Sequence, residues 1–135
     1  MDDVIYLTVD QVVEIHDEAI QEFGGMDGLR SLDLLESAVY QPQQSAFGDD
    51  AYPSIASKAA AYAYFLGSNH AFLDGNKRTG ANTMLAFLYL NSFRLERTDS
   101  EITEAMVMVA TRGISKENFF LWIAEAVKPD RPVDD

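Results

Sequence analysis

One short segment near the middle of the chain holds most of its chemically versatile side chains. Residues 70–78 read HAFLDGNKR, and the apolar stretch TGANTMLAFLYL follows directly. A loop that opens into a helix presents backbone N–H groups without intrahelical partners, and the helix dipole adds partial positive charge there. Phosphate groups bind readily at such a place. The segment therefore predicts an anion-binding loop ahead of a buried helix.

Four residues at the end of this segment suit the binding of phosphates. Gly75 allows a tight turn and a close approach of the backbone to a ligand, while the Asn76 amide can cap the helix or hold the loop. Lys77 and Arg78 add two cations at the end of a helix where positive charge is unfavourable. A bound anion would remove that conflict, which favours a phosphate site.

Residues nearer the start of the segment could act as a metal ligand and a general base in a group transfer. Asp74 offers a hard oxygen ligand for Mg²⁺, which completes its shell with phosphates and water. His70 is a candidate general base for an attacking hydroxyl, and Phe72 is predicted to turn inward and anchor the loop. Taken singly, each residue also has a structural interpretation: a satisfied histidine, an ordinary Asp-Gly turn or a solvated cationic surface. Their conjunction in one turn favours transfer from a nucleotide to a hydroxyl.

The elements that must position this segment are predicted to be helices. Ser54 caps a helix through SKAAAYAYFLGSN, and a second helix runs over residues 76–91; both are apolar on nearly all sides and belong in the centre. Thr8 and Gln11 form a capping box for an amphipathic first helix that ends at Gly24-Gly25. We also predict helices from Ser31 or Asp33 to Tyr40, over 100–112 and over 115–127, extended segments at 4–7 and 93–96, and a long loop at 41–53.

Composition bounds the class of protein. The 135 residues suit one domain, which we place at residues 1–128 with a frayed tail at 129–135. A formal net charge of −12 repels phosphate backbones and anionic membranes, so neither nucleic acid nor a membrane is expected as a direct partner. The absence of cysteine excludes disulfides, thiol nucleophiles and thiolate metal sites. With no basic, apolar leader and no apolar run long enough to cross a bilayer, the expected location is the cytoplasm.

The segment HAFLDGNKR closely resembles the signature of the Fic/Doc superfamily. Lys77 resembles the Doc (death on curing) branch, because Fic enzymes proper usually carry a second glycine at that position. The resemblance continues through IHDEAI, EFGGMDGLRSLDLLESA and the apolar helices on both sides, over about residues 5–125. One departure is Ala71, which replaces a frequent proline and leaves the catalytic positions untouched.

The resemblance implies an all-α Fic-type bundle with the motif loop between its two central helices. It also implies a toxin of a toxin-antitoxin system, a kinase that moves the γ-phosphate of ATP to a threonine of elongation factor Tu and so stops translation. The implied inhibitor is a Phd-type antitoxin whose disordered segment folds onto the toxin as a helix. Carried over by position, the implied roles are general base for His70, Mg²⁺ ligand for Asp74, anion cradle for Gly75 and Asn76, and phosphate contacts for Lys77 and Arg78.

Several positions keep more than one interpretation. Asn82 matches an asparagine of Doc that can help to hold nucleotide, and it equally suits a solvated or helix-bonded amide. His16 falls at the helical spacing of Val12 and Ile20, so it is predicted to face inward, where a packing role is favoured over a direct part in catalysis. The loop at 41–53 either aligns a target peptide or is a passive connection.

Two other functions stay open for the chain as a whole. An AMP transferase of the Fic type would use the same residues and differ only in the phosphorus attacked; Lys77 argues against it. A catalytically silent partner that sequesters nucleotide or antitoxin would be free to lose the base, and the intact His70 argues against that. An inhibitory segment that some Fic enzymes carry is matched at Ser100 and Glu104 but broken at Ala105, so inhibition is expected from another chain.

Overall fold

Hydroxyl side chains start five helices in the computed structural model, which describes residues 3–130. Thr8, Ser31, Ser54, Thr98 and Ser115 each accept a hydrogen bond from the backbone N–H three residues on. At Thr8, Ser54 and Thr98 a reciprocal bond completes a capping box. The helices of the described chain are α1 (Val9–Phe23), α2 (Leu32–Tyr40), α3 (Ile55–Ser68), α4 (Asn76–Leu90), α5 (Asp99–Ala110) and α6 (Lys116–Ala124).

Short strands and one turn make up the remaining regular structure of residues 3–130. A 3₁₀ turn (Gln41–Gln43) follows α2, β1 (Ser45–Ala46) pairs antiparallel with β2 (Asp49–Asp50), and β3 (Phe93–Leu95) pairs antiparallel with β4 (Val127–Pro129). Helices dominate, so the predicted all-α class is confirmed. Within the same residues no helix is long and apolar enough to span a membrane.

Helices α3 and α4 form the centre of the bundle, as predicted. They approach closely: a Cβ added at Gly80 would lie 2.9 Å from the backbone oxygen of Ala63. The fully buried rings of Tyr62 and Phe87 lie with their centroids 5.1 Å apart across the pair. Because this pair packs tightly, the loop that joins its two helices, residues 69–75, has a fixed start and a fixed end.

Residues 4–7, predicted as an extended segment, form no strand in the described chain, because side chains take the place of a partner strand. The Asn91 side chain at the end of α4 binds both the N–H and the carbonyl oxygen of Ile5, each at 2.9 Å. The Leu7 N–H donates to the buried Tyr62 hydroxyl oxygen (2.9 Å), and burial raises the pKa of Tyr62 to about 12. The segment is thereby tied to both central helices.

The segment predicted as a long irregular loop, residues 41–53, contains the β1–β2 hairpin. Phe47 and Gly48 at its turn both have positive φ (55° and 84°), as a tight two-residue hairpin turn requires. The buried Lys58 of α3 donates to Asp50 Oδ2 (3.1 Å) and to the Tyr52 carbonyl oxygen (2.6 Å). The prediction missed the hairpin because its anchor lies in the next helix rather than in the loop itself.

The C-terminal part differs from the prediction in its last helix. Helix α6 ends at Ala124 rather than at residue 127, and β4 runs opposite β3 instead. The extended segment predicted at 93–96 is confirmed as β3. Pro129 pairs with Phe93, and the Asp130 N–H donates to the Ser92 carbonyl oxygen (2.9 Å). The first two residues of the predicted frayed tail are therefore held, while residues 131–135 lie outside the described residues.

We expect Gly80→Ala to destabilise the protein although alanine favours helices. The new Cβ would meet the Ala63 oxygen, so the central helices must separate, at a cost of about 1–3 kcal/mol in the free energy of unfolding. Gly67→Ala is the matched control, because its Cβ would meet chiefly the flexible tip of Met106. Urea unfolding measures both variants, and equal stability of the two would contradict the inferred contact.

Candidate functional site

A short segment before α2 runs alongside the motif loop and fixes its path. We call residues 26–31 the strap. The Leu73 N–H donates to the Gly28 carbonyl oxygen (3.0 Å), and the Arg30 N–H donates to the Ala71 carbonyl oxygen (2.8 Å). An isolated antiparallel bridge joins the two segments at the same place. The motif loop is therefore held by main-chain hydrogen bonds as one strand of a sheet would be.

His70, the predicted base, sits at a strained point of this loop. Its φ is +53°, in the left-handed region that residues other than glycine rarely adopt. Arg30 of the strap donates from Nε to the His70 carbonyl oxygen (2.7 Å) and, more weakly, from Nη2 to the Asn69 carbonyl oxygen (3.4 Å). The His70 ring is exposed and has no hydrogen-bond partner within residues 3–130. Sequence reasoning missed Arg30, which acts on the backbone of the base rather than on its ring.

Asp74 is held from two sides while its carboxylate stays in part free. The Met26 N–H donates to Asp74 Oδ2 (2.8 Å), and His16 Nε2 lies 2.8 Å from the Asp74 carbonyl oxygen. The other carboxylate oxygen, Oδ1, has no hydrogen-bond partner in the described part of the chain, and the residue is exposed. An exposed carboxylate with one free oxygen is a suitable ligand for a hard cation, so the site fits the predicted Mg²⁺.

The inward orientations predicted for His16 and Phe72 are confirmed. Their side chains are 1% and 3% exposed, and the two rings stack with centroids 3.7 Å apart and planes inclined by 6°. The same His16 ring holds the backbone of Asp74 through Nε2. Support of the motif loop by packing and one hydrogen bond is therefore what His16 contributes to the site.

Among the helices of the described chain, α4 alone starts without a side-chain cap. Gly75 precedes it with φ +82°, and a Cβ there would lie 3.3 Å from the His16 ring. The Asn76 amide holds the loop instead, accepting from the Phe72 N–H (3.0 Å) and donating to the Phe72 carbonyl oxygen (2.9 Å). Of the two roles predicted for the Asn76 side chain, the structure shows the second. Only its backbone N–H is left for a ligand.

A pocket of about 220 Å³ opens between α4 and α5. Arg78 of α4 lines this pocket, and its guanidinium lies 4.0 Å from the centroid of the Phe23 ring of α1, a cation–π contact that stabilises the cation. The predicted residues that line the pocket are Gly75, Asn76, Lys77, Arg78 and Asn82. The opposite wall is formed by Asp99, Ile102, Thr103 and Met106.

The structure brings the phosphate-binding candidates together but leaves the base candidate outside the pocket. His70 and Asp74 do not line it; they lie in the loop that leads into α4. Asn82 lies in the wall of the pocket that α4 forms, a position that favours contact with a ligand over an amide that only binds water. Sequence reasoning missed Asp99 and Thr103, because only the packing of α5 against α4 brings these two residues to the site.

Similarity to known proteins decides the class of this chain. A model of the Fic/DOC family matches residues 6–88, which is more than half of the 135 residues and includes the whole motif loop. The chain belongs to the Fic/DOC family. It is 43% identical over 93 residues to the Toxin Doc of Mycolicibacterium smegmatis, covering 67% of this chain and 71% of that protein. It is 26% identical over 110 residues to the Protein kinase doc of Escherichia phage P1, covering 82% and 86%.

The predicted membership of the Fic/DOC family, in its Doc branch, is thus confirmed. The family match covers α1 and the strap, the two elements that hold Asp74. It ends at residue 88, before α5 begins, so the pocket wall that contains Asp99 and Thr103 lies outside it.

We expect His70→Gly to be more stable than His70→Ala by about 1 kcal/mol in the free energy of unfolding, because only glycine adopts a φ of +53° without strain. Urea unfolding of both variants measures the difference. A matched pair at the exposed Glu36 of α2 should show the opposite order, since alanine is the better residue inside a helix. If alanine is favoured at both positions, the backbone at His70 is not strained.

Proposed function

We propose that this Fic/DOC protein is a Doc-type toxin of a toxin-antitoxin system that acts as a protein kinase in the cytoplasm. It would transfer the γ-phosphate of ATP to a serine or threonine hydroxyl of a protein, expected to be elongation factor Tu, and so inhibit translation. The observation that carries the proposal is the uncapped start of α4, where Lys77 and Arg78 line one pocket. The similarity to a phage protein named Protein kinase doc supports a kinase rather than another transferase.

The start of α4 suits the phosphates of the nucleotide. The first N–H of the helix to find a partner is that of Thr79, which donates to the Gly75 carbonyl oxygen (2.9 Å), so the N–H groups of residues 76–78 have none in the helix. Lys77 and Arg78 add positive charge beside these donors. Together they offer the donors and the charge that a polyphosphate needs. Mg²⁺, which Asp74 would hold, neutralises phosphate charge when it is bound.

The rest of the pocket suits a nucleobase. Leu85, Ile102 and Met106 line it with apolar side chains, against which the flat face of a base can pack. Asp99 and Thr103 lie in the same wall and can accept hydrogen bonds from an amino group at the edge of the base. One continuous pocket would therefore hold both the base and the phosphates of a nucleotide.

His70 would act as the general base of the reaction. The acceptor hydroxyl gives its proton to the His70 ring while its oxygen bonds to the γ-phosphorus; the bond from that phosphorus to the β–γ bridging oxygen breaks, and ADP leaves. Arg30 would keep His70 in position through its carbonyl oxygen, which leaves the ring free for the proton. An exposed base suits a hydroxyl that is presented on the surface of another protein.

Exposed apolar side chains near the motif loop suit a protein partner. Phe23, Met26, Leu29 and Leu73 are 55%, 63%, 45% and 46% exposed, and they lie at the end of α1, in the strap and in the motif loop. Single exposed apolar residues are common, but a group of them around one site marks an interaction surface. We assign this surface to the target protein or to the antitoxin. The antitoxin is expected to be of the Phd type, with a disordered segment that orders on binding.

We expect the purified chain to add one phosphate to elongation factor Tu from its host in the presence of ATP and Mg²⁺, and His70→Ala to abolish the addition because no base remains. Intact mass spectrometry of the factor measures the gain. The His70→Ala variant should still bind nucleotide in a calorimetric titration, since the ring contacts the acceptor rather than the pocket. Arg112→Ala, at an exposed cation far along the chain from the motif, is the control that should retain transfer.

The size of the added group separates the alternatives. An AMP-sized gain would make the protein a nucleotidyl transferase and would overturn the kinase proposal. No gain on any candidate target, together with intact nucleotide binding, would favour the catalytically silent partner. Full transfer by His70→Ala would remove the base assignment while leaving the kinase itself in place.

We expect Asp74→Asn to lose the effect of Mg²⁺ on ATP binding while it keeps the fold. The amide oxygen of asparagine can still accept from the Met26 N–H, whereas the negative charge that attracts the cation is gone. Calorimetric titrations with ATP, with and without Mg²⁺, should show a clear difference for the wild-type protein and for the control Asp33→Asn. An Asp74→Asn variant whose ATP affinity still responds to Mg²⁺ as the wild type does would contradict the metal-ligand role.

A further inference from the structure

Three ligand atoms that could hold a cation lie beside the motif loop but outside the proposed nucleotide site. His16 Nδ1 lies 3.8 Å from Asp17 Oδ1 and 3.9 Å from Asp27 Oδ1. The three atoms all lie within 4.8 Å of one another. His16 and Asp17 belong to α1, while Asp27 belongs to the strap. The cluster therefore joins two elements that hold the motif loop.

The hydrogen bond on the other side of His16 determines what its Nδ1 can do. Nε2 lies 2.8 Å from the Asp74 carbonyl oxygen, which can only accept, so Nε2 carries the hydrogen. In the neutral imidazole Nδ1 then has a free lone pair, and it points toward two carboxylates at distances too long for hydrogen bonds. The His16 side chain is 1% exposed, so its position is fixed by packing. The Nδ1 atom of His16 and one oxygen of each carboxylate thus face one another within 4.8 Å.

We propose that His16, Asp17 and Asp27 bind one divalent transition-metal ion of the Zn²⁺ or Mn²⁺ class. One imidazole nitrogen and two carboxylate oxygens suit such ions, whereas Mg²⁺ favours oxygen ligands alone. A histidine that donates its second ring N–H to a backbone carbonyl is the arrangement found behind metal-ligating histidines. This site is distinct from the Mg²⁺ position assigned to Asp74, whose carboxylate does not belong to the cluster.

The present distances require only a small adjustment to bind an ion. Zn²⁺ takes nitrogen and oxygen ligands at about 2.0–2.2 Å, which brings ligand atoms roughly 3.3–3.6 Å apart in a tetrahedral site. The Asp17 and Asp27 side chains are 52% and 70% exposed, so they are free to rotate inward, and solvent can supply the remaining ligands. His16 is fixed and would set the position of the metal.

A bound ion would brace the strap against α1. Asp27 follows Met26, whose N–H holds the Asp74 carboxylate, and His16 holds the backbone of the same residue. The metal would join His16 of α1 directly to Asp27 of the strap, and this link would not depend on the nucleotide. Because the ion binds the folded chain, it should raise thermal stability, and the gain should grow with the logarithm of the ion concentration once this exceeds the dissociation constant.

Calorimetric titration of the nucleotide-free, metal-stripped protein with ZnCl₂ and with MnCl₂ tests the site. We expect one ion per chain, with affinity weakened by about tenfold or more in Asp27→Asn and in Asp17→Asn, since loss of even an outer-shell partner costs that much. Asp33→Asn, an exposed aspartate of α2, is the matched control and should bind as the wild type does. His70→Ala should also bind normally. Thermal unfolding without metal checks that the two aspartate variants keep their fold.

Imidazole ¹⁵N resonances give a second readout, because the sequence has only two histidines. We expect one equivalent of Zn²⁺ to shift the Nδ1 resonance of His16 and to leave the resonances of His70 unchanged. The proposal fails if no stoichiometric binding occurs, if Asp27→Asn and Asp17→Asn bind as tightly as the wild type, or if the metal shifts His70 alone.

Discussion

The start of α4 has no side-chain cap, and much of the surrounding structure follows from that constraint. A helix that begins without a side-chain cap leaves donors unsatisfied and forgoes the stabilisation of about 1 kcal/mol that such a cap typically gives. The loop ahead of it must therefore be held by other bonds. The Asn76 amide holds Phe72, the strap holds the main chain, and His16 holds the Asp74 carbonyl oxygen. None of these bonds uses an N–H of the first helical turn.

The same constraint explains the glycines of EFGGMDG, which lie far from the motif in the sequence. Gly28 has φ +141°, and a Cβ there would lie 2.8 Å from Leu73 Cδ1. Gly25 has φ +111°, and its Cβ would lie 3.2 Å from Asp74 Cβ. A side chain at either position would push the strap away from the loop it holds. Gly25 and Gly28 thus let this part of the chain lie close to the motif loop.

Local signals in the sequence were enough to predict most helix starts and the motif, and they failed where a distant side chain decides the outcome. Thr8 caps α1 through residues within one turn of it, which a sequence shows directly. The β1–β2 hairpin depends on the buried Lys58, and the N-terminal segment depends on Asn91 at the far end of α4. In the site, Arg30 lies 40 residues from His70, and Asp99 reaches the pocket only through helix packing. Such contacts have no periodicity or cap to reveal them.

The net charge of −12 stands against the binding of a polyanion such as ATP, and the structure shows how a local site can overcome it. At physiological ionic strength, exposed charges separated by more than about 8 Å are largely screened from each other. The acidic surface therefore acts weakly on a ligand in the pocket, whereas the N–H groups and the two cations at the start of α4 would act in contact. Nucleic acid binds instead to extended cationic surfaces by displacing many counterions. A compact anion site on an acidic protein would therefore favour a small phosphate ligand over a nucleic acid.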